Sequence, residues 1–124
     1  MNIIEKYKSK YHGAYKGRTD SLKVTALLDK YSIHDDTYQK WLIETDGGPI
    51  SSNWYDSLEE LEISQQKLES EPWTIKGFVI GWDGSGNPIV IQDDNTIAVE
   101  DHDFGGIHIL AKNFNELLVQ GISS

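Results

Sequence analysis

This chain is rich in residues able to do chemistry, but few stand at the spacings that chemistry needs. Asp83-Gly84-Ser85-Gly86-Asn87 sets oxygen-bearing side chains at alternate positions, and Asp94 follows eleven residues after Asp83. A calcium loop has this layout, because the ion takes about six to eight oxygen ligands. Such a loop also needs Gly at its sixth position. Pro88 stands there, and Ile89-Val90-Ile91 beyond it has the character of a strand. The segment therefore reads as a hairpin turn, with Gly86 at positive φ and with Asp83 and Asn87 shaping it. Asp101-His102-Asp103, with His108 nearby, offers carboxylates and imidazoles. Adjacent residues converge poorly on one ion, and no second ligand cluster stands at metal spacing. This stretch reads as an Asx-type turn in which His102 bonds backbone or a neighbouring carboxylate.

Nucleophile and phosphate chemistry find no frame. No Gly-x-Ser-x-Gly elbow stands between a strand and a helix. Gly84-Ser85-Gly86 lacks the following Lys and helix of a phosphate loop. There is no cysteine, which excludes thiolate nucleophiles, thiolate metal sites and disulfides. The expectation is a protein with no catalytic residue, metal or cofactor. A small hydrolase using two of the twenty acidic residues is the alternative from another class.

Charge is unevenly spread. The chain has 124 residues, 20 acidic and 11 basic, for a net charge of −9. Residues 1–18 hold Lys6, Lys8, Lys10, Lys16 and Arg18 against Glu5, a net of +4, which leaves −13 on the remainder. No Lys or Arg falls between Lys76 and Lys112, where Asp83, Asp93, Asp94, Glu100, Asp101 and Asp103 stand. The basic segment interleaves Tyr7, Tyr11 and Tyr15, the composition of a nucleic-acid-binding arm. The acidic body opposes phosphate, so the tyrosines are expected to pack on the domain and the lysines to pair with its acids. An acidic body favours a basic protein partner and not a nucleic acid. The opening residues have no signal-peptide core, and no apolar run is long enough to span a membrane. A cytoplasmic protein with no membrane partner is expected.

The elements that must position these residues divide at mid-chain. Asn2 with Glu5 caps a first helix carrying Ile4, Tyr7 and Tyr11, and residues 1–20 read as a peripheral helical arm. A second helix spans Ser21 to Tyr31 on Val24, Leu27 and Leu28. A third starts at Asp36 as N-cap, buries Tyr38, Trp41 and Leu42, and stops at Gly47-Gly48-Pro49. Ser57 with Glu60 forms a capping box for a fourth, ending near Lys67. After it come strands over Lys76 to Trp82, Pro88 to Gln92 and Thr96 to Glu100, joined as an antiparallel meander. Ile107 to Leu110 is a short edge strand, and Asn113 with Glu116 caps a last helix built on Phe114, Leu117 and Leu118. Helices first and a meander after predict a single α+β domain over 1–124, a mainly antiparallel sheet with helices packed against it.

Gly77-Phe78-Val79-Ile80-Gly81-Trp82-Asp83-Gly84-Ser85-Gly86-Asn87-Pro88-Ile89-Val90 resembles the SUKH superfamily, which holds yeast cell-wall-synthesis regulators and many bacterial toxin-immunity proteins. Two more segments match in order. Tyr38, Trp41, Leu42 and Thr45-Asp46-Gly47-Gly48-Pro49-Ile50 resemble its helix ending in an Asn-Gly-Gly turn, with Asp46 where Asn is usual. Val99, Asp101-His102-Asp103-Phe104-Gly105-Gly106-Ile107, Phe114 and Leu117 resemble its closing strand and helix. The resemblance covers roughly residues 24–120. It implies an α+β fold and a non-enzymatic protein-binding module, in a small member most often an immunity protein that neutralises a toxin domain. A regulator or scaffold of the same fold, binding a cellular protein, is the alternative.

Within that reading Gly47 and Gly48 cap a helix, and Trp82 and Phe104 are core or partly buried anchors. The binding surface is expected from Asp56, Glu59, Glu60, Asp93, Asp94, Asp101 and Asp103. Trp54 and Tyr55 join it as exposed anchors in a loop rich in Ser and Asn. An acidic surface of this kind covers the basic face that a nuclease toxin needs to hold phosphate.

Overall fold

Local signals start each helix. The computed structural model describes residues 1–124. Helix α1 (Ile3–Lys10) opens on Asn2, whose Oδ1 accepts the Glu5 N–H at 2.9 Å. Helix α2 (Ser21–Lys30) opens on Asp20, which accepts from Leu22 and Lys23. Helix α4 (Leu58–Ser70) follows Ser57, whose N–H donates to Glu60 Oε1 at 2.9 Å. Helix α5 (Phe114–Ser123) opens on Asn113, which accepts from Glu116 at 2.8 Å. Each such acceptor satisfies a backbone donor that the first helical turn leaves open.

Helix α3 (Asp36–Thr45) corrects the expected cap by one residue: Asp35, not Asp36, is the N-cap. Its Oδ1 accepts the Tyr38 N–H at 3.0 Å, and its Oδ2 accepts the Phe114 N–H at 3.0 Å. One buried carboxylate thus caps α3 and α5 together. At the far end of α3, Asp46 takes the left-handed conformation at φ 53°, which Asp and Asn tolerate better than most residues. Its Oδ1 then accepts the Leu58 N–H at 2.8 Å, joining the end of α3 to the start of α4. Gly47 follows at φ 87°, and a Cβ there would meet the Asp56 carbonyl at 2.7 Å.

The strands are β1 (Gly48–Ile50), β2 (Asn53–Tyr55), β3 (Phe78–Trp82), β4 (Pro88–Ile91), β5 (Ile97–Glu100) and β6 (Ile107–Ala111). They form one six-stranded sheet in chain order, and every neighbouring pair is antiparallel. The fold is α+β, with helices packed against that sheet. The hairpin β1–β2 replaces the expected loop at Trp54 and Tyr55. Gly86 lies in the β3–β4 turn at φ 83°, as expected.

The sheet buries both faces. On one, Phe78, Ile80, Ile89, Ile91 and Ile97 meet residues of α1, α2, α3 and α5 in the larger core. On the other, Val79, Val90 and Ala98 lie under Leu68 and Ile75. Residues 1–20 are no peripheral arm. Tyr7 is fully buried, stacks on Tyr11 at 4.7 Å and meets Trp41 edge-on at 5.5 Å. Lys8 and Arg18 pair with Glu44, which holds its carboxyl below the usual range chiefly through the Lys8 hydrogen bond. No helix is long and apolar enough to cross a membrane.

Candidate partner-binding surface

Register places one row of side chains across the smaller-core face. Pro49 pairs with Trp54, Trp54 with Trp82, and Trp82 with Pro88. At the other edge Glu100 pairs with Ile107. Paired residues in a sheet share a face, so Trp54 and Trp82 stand side by side. The Trp82 Nε1 donates to Ser64 Oγ at 2.9 Å, and Lys67 Nζ lies 4.6 Å over its ring. Trp73 meets Trp82 at 6.5 Å and the His102 imidazole at 6.1 Å, both edge-on. An aromatic band therefore crosses this end of the molecule. Trp73 and His102 belong to it, and sequence reasoning missed Trp73. Its only signal was a Trp standing just outside a predicted strand.

The expected site residues separate in three ways. Trp54 is 52% exposed. Tyr55 and Asp56 are not. Successive strand residues point to opposite faces, so with Trp54 outside Tyr55 turns into the core, where it is 1% exposed. Asp56 is buried beside it and accepts the Ser64 hydroxyl. Burial pushes its carboxyl up to about 6, against the Ser64 hydrogen bond, and Glu60 adds to the rise. Asp56–Ser64–Trp82 is thus an internal polar chain that ties β2 and β3 to α4.

Phe104 is the opposite correction. It is 91% exposed and anchors no core. Asp101 Oδ1 accepts the N–H groups of Asp103 and Phe104, and this tight turn leaves the ring in solvent. Those backbone donors also hold the Asp101 carboxyl below its usual range. Trp82 is half-buried, as expected.

The acids do not form one patch. Glu59 and Glu60 sit in the first turn of α4. Asp93 and Asp94 sit in the β4–β5 turn, where Asp94 accepts from the Thr96 hydroxyl at 2.6 Å and its carboxyl is held low by that bond. Asp101 and Asp103 lie at the opposite end of β5. What the fold does bring together there is the β3–β4 turn and the β5–β6 connection. Asp83 accepts the N–H groups of Ser85 and Asn87 at 2.9 Å and the Asn87 Nδ2 at 3.0 Å. Asn87 Oδ1 in turn accepts the His102 N–H at 3.0 Å and touches its Nδ1. His102 Nε2 reaches Asp103 at 3.2 Å. Asp83, Asn87 and His102 therefore hold two turns together and leave Asp103, Phe104 and the Trp73 edge presented outward.

A cavity of about 330 Å³ opens beside this cluster, lined by Glu71, Trp73, Glu100, Asp101 and His102 among others. Its chemistry is aromatic and anionic. Glu71 Oε1 accepts the Trp73 Nε1 at 2.9 Å, and Glu100 accepts the N–H groups of Thr74 and Ile75. Such a surface suits a cationic side chain, whose charge an aromatic face and carboxylates both attract. The chain matches no protein-family model and no curated protein.

Proposed function

We propose that this protein is a non-enzymatic binding module that neutralises a basic toxin domain, as the SUKH-like motifs imply. One observation carries the reading. An aromatic and acidic surface, with Trp54, Phe104 and Asp103 exposed and Trp73 and Asp101 half-buried beside them, stands on a sheet whose own turns fix it in place. Interfaces draw affinity from partly buried aromatic anchors and draw speed and specificity from complementary charge. Carboxylates that the sequence offered for chemistry, those of Asp83, Asp94 and Asp101, instead accept hydrogen bonds within their own turns. The motifs that resemble the family fall on the scaffold of this surface: the β3–β4 turn, the end of α3 and the β5–β6 connection.

The test is growth rescue on co-expression, together with a pull-down, against the C-terminal domain encoded by the neighbouring gene. Rescue with a stable complex is the expected result. No complex and no rescue would overturn the toxin reading.

A further inference from the structure

The two edges of the sheet are finished differently. At β1 tyrosines close the edge: the Tyr7 hydroxyl donates to the Pro49 carbonyl at 2.7 Å, and the Ser51 N–H donates to the Tyr11 hydroxyl at 2.9 Å. Pro49 itself has no N–H to leave open. At β6 one side chain reaches the backbone, Gln120 Nε2 donating to the Leu110 carbonyl at 3.2 Å.

Register shows which β6 groups turn outward. The Asp101 N–H bonds the Gly106 carbonyl at 3.0 Å, which makes these two a hydrogen-bonded pair. Pairs alternate along an antiparallel ladder. Glu100–Ile107 and Ala98–Ile109 are then the non-bonded pairs, with Val99–His108 bonded between them. Ile107 and Ile109 thus aim their N–H and C=O groups away from the sheet. Their side chains are also uncovered, 44% and 59% exposed. Natural sheets usually shorten, charge or cover such an edge.

Charge selects what fits it. The acidic cavity beside Trp73 includes Glu100, the cross-strand partner of Ile107, so cavity and edge adjoin on one face. Residues 77–111 carry six acids and neither Lys nor Arg. A second copy pairing β6 to β6 would bring two such acid-rich meanders together, whereas a cationic segment complements one.

The geometry points to the β6 edge as the docking site for an extended, cationic segment of the partner protein, added as a seventh strand. One of its Lys or Arg side chains enters the Trp73 cavity between Glu71 and Asp101. This rests on the protein-binding reading above and names the surface for it. Backbone hydrogen bonds hold the added strand in register, while Ile107 and Ile109 take its apolar side chains.

Two peptides of about eight residues, the length of an ordinary strand, serve as probes: one alternates Val and Lys, the other Val and Glu. In an NMR titration the Val/Lys peptide should shift the amides of residues 107–111 and the Trp73 indole. It should also slow hydrogen exchange at Ile107 and Ile109 by about tenfold or more. The Val/Glu peptide should do neither. Ile109→Pro deletes an outward N–H without breaking the ladder, and Ile109→Lys opposes the peptide's charge. Each should abolish these changes, and the Lys variant decides if the Pro variant does not fold. Equal binding of both peptides, shifts confined to α4 or Trp54, or dimerisation through β6 would each overturn the proposal. Co-expression separates the two readings. A wild-type protein that fails to rescue defeats the toxin reading and leaves the peptides to decide the edge. Rescue by Ile109→Lys equal to wild type defeats the edge while the toxin reading stands.

Discussion

Two buried carboxylates do opposite work. Asp35 caps α3 and α5 at once, through Tyr38 and Phe114. A single cap is worth about 1 kcal/mol, and a buried donor left without its acceptor costs about 1–3 kcal/mol more. Asp35→Ala should therefore destabilise by about 2–4 kcal/mol in a denaturant melt, and Asp35→Asn by less. Asp56 is held at a cost. Its folded-state pKa of about 6 lies above the ordinary carboxyl value, so the folded state binds the proton more tightly. The stability that this proton contributes is complete below about pH 4 and is lost as pH rises through about 6. Asp56→Asn cannot ionise and can still accept from Ser64. It should be more stable than wild type near neutral pH, by on the order of 1–3 kcal/mol, with the gap closing below about pH 4 in melts across that range. A wild-type melt that improves from acid to neutral pH relative to the variant would reverse the assignment.

At the level of elements, α1 changes what can be tested. Tyr7 lies in the main core and its hydroxyl holds β1, so residues 1–10 are no detachable arm. Deleting them should cost more than about 4 kcal/mol and lower the melting temperature by more than about 10 °C. Exchanging exposed Lys6 and Lys10 for Gln is the cleaner probe of the basic segment. The helix starts were legible because their signals are local: Asn2 with Glu5, Ser57 with Glu60, Asn113 with Glu116. Asp35 and Asp36 are adjacent acids that read alike in sequence, and the structure tells them apart by the Tyr38 N–H bond and by the contact with Phe114, 79 residues on. The β1–β2 hairpin was not legible, since Gly, Pro, Ser and Asn are weak strand formers. Without strand alternation, Trp54 and Tyr55 read alike, although they face opposite ways. Phe104 read as core from its type alone, while its exposure comes from a turn that Asp101 holds. The free edge at β6 required the sheet order, which no single segment encodes.

For the whole molecule, the proposed partner recognition should show its electrostatic origin in rates. Association with a basic toxin domain should slow markedly as salt rises, because the screening length shrinks to about 10 Å at 0.1 M. Asp101→Asn with Asp103→Asn should slow association several-fold in stopped flow, and Glu59→Gln on α4 should leave it unchanged. Trp54→Ala should instead speed dissociation. Stability should move by less than about 1 kcal/mol in the acid variants, since an Asn oxygen at 101 still accepts the turn's N–H groups and the charges themselves contribute little. Equal effects from Glu59→Gln would place the encounter surface on α4.

The contact between α1 and α5 also dictates an order of events. The Tyr11 hydroxyl donates to the Gly121 carbonyl at 3.0 Å across 110 residues, and Lys10 reaches Ser124. The β3–β6 meander joins near neighbours and loses little loop entropy in forming. Closure of the first helix onto the last spans the longest loop and comes at the largest entropic cost, so it is expected to form late in folding. Tyr11→Phe should then raise the unfolding rate while leaving the folding limb of a chevron almost untouched.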